Sequence, residues 1–230
     1  MESKVKRRKD HVEPKTLISE DCYQKWIQFL FENGAVDGDI YTEYCQMPHD
    51  EMVELIKYTF LRCSLDLQKY SKSQINTGLS ELLGTSDFIF SFKEADLHYT
   101  DVVIALQSIQ HLYKDLFNDR CDPVLSHLDE KTDNELNNIC YMLWDITPLA
   151  YWPDDPNQKH YYAAIAGVME KALYLSNPAC IESALHGLGH IQNEAEDSVV
   201  EIINTFLKKQ KNLRPELFTY ANHAKIGYVQ

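Results

Sequence analysis

Apolar residues recur at three-and-four spacing along most of the chain, and that period belongs to amphipathic helices. Ser19 is placed to cap a helix through Trp26, Ile27, Leu30 and Phe31 that Gly34 stops. A short Tyr-rich piece is expected over Asp37–Gln46. Pro48 then opens a longer helix through Met52, Leu55, Ile56, Phe60 and Cys63. Ser73–Leu83 is predicted as a further helix, halted by Gly84. Phe88–Phe92 alternates aromatic and smaller residues, and a short extended piece fits it as well as a helix does. Thr100 begins a helix through Val103, Leu106, Ile109, Leu112 and Leu116, and Asp133 is expected to cap the next, with Leu136, Ile139, Cys140 and Leu143 on one face. After a proline-rich break from Pro148 to Pro156, helices are predicted over Gln158–Leu175, Pro178–Gln192, Asp197–Lys211 and Pro215–Ile226. Hairpin turn signals are nearly absent, so the fold class is all-α. The two-residue link Ser176-Asn177 calls for antiparallel neighbours.

One segment, Asn177–Ile191, breaks the helical rule that glycine is avoided. Gly187 and Gly189 each cost a helix about 1 kcal/mol relative to alanine, and the usual compensation is a close approach that a Cβ would block. The segment resembles a HEAT-like helical repeat. Asn177-Pro178 supply the turn, and Cys180, Ala184, Gly187, Leu188, Gly189 and Ile191 fall at small and apolar positions. Ile181 departs from that pattern, standing where such repeats often carry arginine. The resemblance is carried by the helix pair from Gln158 to Gln192. It implies stacked antiparallel helix pairs, either an α-solenoid or a compact helical array, and a scaffold that binds other proteins.

The same segment places Glu182, His186, His190 and Glu194 four residues apart, the spacing at which a helix face can hold a metal. Against this, Gly187 stands where the zincin pattern puts glutamate. A period of four also drifts around a helix of 3.6 residues per turn. Structural histidines are therefore the first expectation, and a metal-dependent hydrolase with Glu182, His186 and His190 as ligands is the alternative.

Charge narrows the choice of partner. The first 15 residues carry six basic and three acidic side chains and read as a disordered basic tail ahead of a single all-α domain over 16–230. The remainder holds 16 basic against 32 acidic residues. Such a surface repels nucleic acid phosphates and favours a basic protein partner. There is no apolar run of membrane-spanning length and no secretory leader pattern, so a cytoplasmic protein is expected. The six cysteines form no CxxC pair, and they read as small buried residues in a reducing compartment.

The densest candidate surface lies in the aromatic and acidic middle of the chain. Tyr141 and Trp144 read as core. Tyr151, Trp152, Asp154, Asp155, Asp129 and Glu130 read as a partner-binding surface, where aromatic area and carboxylates would select lysine and arginine. A carboxylate pair drawn from Asp145, Asp154 and Asp155 is a weaker hydrolytic arrangement. Nucleophile-elbow, phosphate-loop and dinucleotide motifs are missing from the sequence. The leading expectation is a non-catalytic acidic binding module without a cofactor, of the inhibitor or immunity type that covers a basic toxin. An adaptor scaffold and a tyrosine-lined ligand carrier are the other non-catalytic options.

Overall fold

Helices carry every regular element in the computed structural model, which describes residues 18–32, 38–85 and 87–229. Eleven are of eight residues or more: α1 (Glu20–Glu32), α2 (Gly38–Cys45), α3 (His49–Leu61), α4 (Lys72–Ser80), α5 (Asp87–Glu94), α6 (Tyr99–Gln107), α7 (Leu136–Ile146), α8 (Gln158–Ala172), α9 (Pro178–His190), α10 (Glu196–Lys209) and α11 (Pro215–Ala224). Among the described residues there is no strand, and no helix is long and apolar enough to cross a membrane. The basic run Lys4–Lys9, the expected stop at Gly34 and the start at Asp37 lie outside the described residues.

Side-chain caps account for several helix starts. Ser19 Oγ accepts the Cys22 amide at the head of α1, as expected. Ser71 and Gln74 form a reciprocal capping box on α4, starting it one residue earlier than Ser73. Two expectations are corrected. Phe88–Phe92 is not extended: it lies within α5, where Phe88, Ile89 and Phe92 are buried on one side and Phe90 is exposed. Asp133 does not cap α7. Asn134 does the equivalent work, its Oδ1 accepting the Leu136 amide while its Nδ2 donates to the Arg120 carbonyl and to Asp122.

The long segment after Thr100 is helical but interrupted. Ser108 Oγ bonds back to the Ala105 carbonyl at 2.6 Å, a contact that competes with the helical ladder. Helical pieces then continue through Gln110–Leu112, a wider π turn over Tyr113–Phe117, and Asn118–Arg120. The last of these sets the α8–α9 turn: Asn118 Oδ1 accepts the amides of Ser176 and Asn177, and Asn177 Nδ2 donates to the Cys121 carbonyl at 2.8 Å.

Helix α9 lies at the centre of the C-terminal half. It packs most heavily against α7 and also touches α8, α10 and α11. Every residue from Ala179 to Gly189 is buried. The glycines follow from that burial. A Cβ on Gly187 would lie 2.6 Å from Trp144 Cγ and 2.8 Å from Met169 Cε, and one on Gly189 would meet Val229 Cγ2 at 2.8 Å. The close approach is thus made by side chains of α7, α8 and the C-terminal residues, not by a neighbouring helix backbone.

Candidate metal centre

Burying all of α9 buries its polar side chains too, and each must find a partner. Ser183 bonds the Tyr113 hydroxyl at 2.7 Å and donates to the Cys140 carbonyl, while Trp144 Nε1 donates to the same Tyr113 hydroxyl at 2.7 Å. Glu182, with no exposed surface, accepts the backbone amides of Ser126 and His127, both at 2.9 Å, and contacts His127 Nδ1 at 2.5 Å. These contacts clamp the turn at Ser126–Leu128 onto α9.

His186, one turn after Glu182, contacts side chains of α7 and α11 instead of the 126–127 turn. Its Nε2 lies 2.7 Å from Asp145 Oδ2, and His190 Nε2 lies 2.9 Å from Asp145 Oδ1. The two Nε2 atoms are 3.0 Å apart. His186 is buried, whereas the side chains of Asp145 and His190 keep 25% and 34% of their surface open, so the cluster has a solvent-facing edge. Burial opposes ionisation of Asp145, but the hydrogen bonds from His186 and His190 outweigh it and hold the carboxyl well below the usual carboxylate range.

Protons can satisfy two of the three contacts in this cluster but not the third. An N–H on each Nε2 can donate to its own Asp145 oxygen, which leaves no hydrogen for the Nε2–Nε2 contact. Each Nε2 carries at most one proton and the carboxylate carries none. If both nitrogens are protonated, Asp145 accepts from both and the two nitrogens stand 3.0 Å apart with no bond between them. If one is not, its lone pair confronts the carboxylate. A cation at the centre satisfies all three groups at once. Two imidazole nitrogens and a carboxylate oxygen are also the donor set of zinc-class ions, bound at about 2.0–2.2 Å, which places tetrahedral neighbours about 3.3 Å apart. The contacts would open by about 0.3–0.6 Å, and two of the three side chains are partly exposed.

Around the triangle is a shell of aromatic hydroxyls. Tyr220, on α11, meets His186 Nδ1 through its hydroxyl at 2.5 Å. Its ring stacks on His127, with centroids 4.2 Å apart and planes 15° apart. Tyr141, one turn before Asp145 on α7, lies against the His186 ring, and its hydroxyl is 3.4 Å from that of Tyr220. Burial raises both tyrosine pKa values.

Of the sequence-predicted ligands, the structure brings His186 and His190 together but not Glu182, whose carboxylate is committed to the 126–127 turn. Glu194 follows the end of α9 at His190 and is exposed. Asp145 takes the acidic place. It was legible only as one carboxylate among several, because it stands 41 residues from His186 in sequence and no local spacing links the two. Tyr220 and His127 carry no sequence signal at all.

The expected partner-binding residues fare differently. Tyr151 is exposed, and Asp154 is exposed at a left-handed φ of 61°. Trp152 is a correction: it is buried, its Nε1 donates to the Leu149 carbonyl at 2.6 Å and its ring packs on Tyr161, so it pins the loop from beneath. Asp155 accepts the Asn157 amide. Asp129 is exposed, while Glu130 binds the Leu125 amide and Arg214, at 2.6 Å, tying the loop to the start of α11. Compared with known proteins, the chain matches no family model, no curated protein and no solved structure.

Proposed function

We propose that this protein binds a divalent transition metal of the zinc class through Asp145, His186 and His190. The supporting observation is the convergence of three ligand-type side chains: the Nε2 atoms of His186 and His190 lie 3.0 Å apart, each 2.7–2.9 Å from a different oxygen of the Asp145 carboxylate. Three protein ligands with an exposed edge leave a coordination position for water, as catalytic zinc sites do. A bound ion would acidify that water and supply hydroxide near neutral pH, so a metal-dependent hydrolytic role accompanies this reading. The formal charge of −13 favours the approach of cations to the surface.

The test is titration of metal-free protein with Co²⁺, a spectroscopically visible stand-in for zinc. Visible d–d absorption saturating at one equivalent, and its loss in His190→Ala, is the expected result. His190 lies at the exposed edge, so this variant keeps the core. Absence of a saturable signal in the wild type would sink the proposal.

A further inference from the structure

The contact between Tyr220 and His186 has a property that a carboxylate or amide partner would lack. The Asp145 carboxylate can only accept, so the 2.7 Å contact places a proton on His186 Nε2 in the metal-free protein. The neutral imidazole then presents a lone pair at Nδ1, and the Tyr220 hydroxyl, 2.5 Å away, donates to it. A metal ion at Nε2 inverts these roles. Nε2 must give up its proton, the neutral ring carries its proton on Nδ1, and that N–H now needs an acceptor. The hydroxyl oxygen of Tyr220 already occupies the position. Only its hydrogen has to turn, and the Tyr141 hydroxyl 3.4 Å away lies within reach of that turn.

We propose that Tyr220 is the positioning residue of the metal centre, a hydroxyl that donates to His186 Nδ1 when the site is metal-free and accepts from Nδ1–H when Nε2 holds the ion. The proton lost from Nε2 passes to solvent and another is taken up at Nδ1, so His186 stays neutral throughout. The ring of Tyr220 does not move. It is stacked on His127, which Glu182 clamps from inside α9, and α11 is tethered to the same turn by Arg214 and Glu130. Glu182 thereby acts on the centre at two removes, although it is not a ligand. Partners of this kind typically alter metal affinity by about 10–100-fold when removed.

This inference rests on the metal reading, and the experiment separates the two. Zinc affinity is measured by competition with a chromophoric chelator for the wild type, Tyr220→Phe and Tyr141→Phe. Tyr220→Phe keeps the stacked ring and is expected to bind about 10–100-fold more weakly. Tyr141→Phe leaves the Tyr220–His186 contact in place and is expected to stay close to wild type. Long-range ¹H–¹⁵N correlation spectra of wild-type protein give a second reading that needs no variant. His186 should show Nε2–H without metal and Nδ1–H with zinc. Wild-type binding that Tyr220→Phe matches, or a His186 tautomer that does not change, overturns the role of Tyr220 while leaving the site intact. A wild type that binds no zinc overturns both.

Discussion

Replacing Gly187 by alanine tests the packing that holds the centre. Helix propensity alone predicts a gain of about 1 kcal/mol for this change. The structure predicts a loss, because the new methyl would fall 2.6 Å from Trp144 Cγ and 2.8 Å from Met169 Cε. Met169 can adjust, being unbranched. Trp144 cannot swing aside: it is buried, and its Nε1 is held by the Tyr113 hydroxyl, itself fixed by Ser183 on α9. Overpacking against a locked side chain belongs at or above the upper end of the usual range of about 1–3 kcal/mol. The net loss after the propensity gain is then about 2 kcal/mol, which lowers Tm by roughly 4–8 °C in a chain of this length. Gly167 supplies the control, since a Cβ there meets nothing within 4 Å. Gly167→Ala should stabilise by about 0.5–1 kcal/mol. Thermal denaturation of both variants by circular dichroism decides the matter. Gly187→Ala melting at or above Gly167→Ala would refute the packing argument. Because Trp144 directly precedes Asp145, Gly187→Ala should also weaken zinc binding, whereas Gly167→Ala should leave it unchanged.

Glu182→Gln should destabilise the protein by about 2 kcal/mol, since a buried, charge-assisted acceptor of two backbone amides is replaced by a neutral amide. The urea midpoint should fall and the His127 amide should exchange faster, whereas wild-type exchange at that amide would contradict the clamp. Asp145→Asn probes the lowered carboxyl. A depressed folded-state pKa contributes stability above the unfolded value of about 3.9 and loses it as pH falls through the folded value. The stability gap between wild type and variant should therefore be present at pH 6 and shrink steadily below about pH 4. A gap that widens in acid would reverse the assigned sign.

How far the fold was readable follows from which contacts are local. Three-and-four spacing locates the helices because each one's apolar face is written in its own sequence, and Asn177-Pro178 announces α9 through its cap. Phe88–Phe92 is too short for its period to tell helix from strand, and packing of Phe88 and Phe92 into the core decides it. The start of α7 depends on Asn134, whose role comes from reaching back to Arg120 and Asp122. The site divides in the same way. His186 and His190 are visible as an i, i+4 pair, but the third member of an equally spaced stripe faces elsewhere. Glu182 is four residues before His186, which carries it about 40° past a full revolution, and the α7–α9 seam accommodates the two on different partners. Asp145 and Tyr220 reach the histidines only through the packing of α7 and α11 on α9, which no local spacing records.

Elemental mass spectrometry of the untagged, natively purified protein puts the metal reading at most direct risk. About one equivalent of zinc, iron or manganese per chain is expected, lost in Asp145→Asn and in His190→Ala while both variants remain folded. A metal-free native protein that also takes up none on dialysis against zinc would contradict it, and the triangle at Asp145, His186 and His190 would then be a hydrogen-bonded structural cluster.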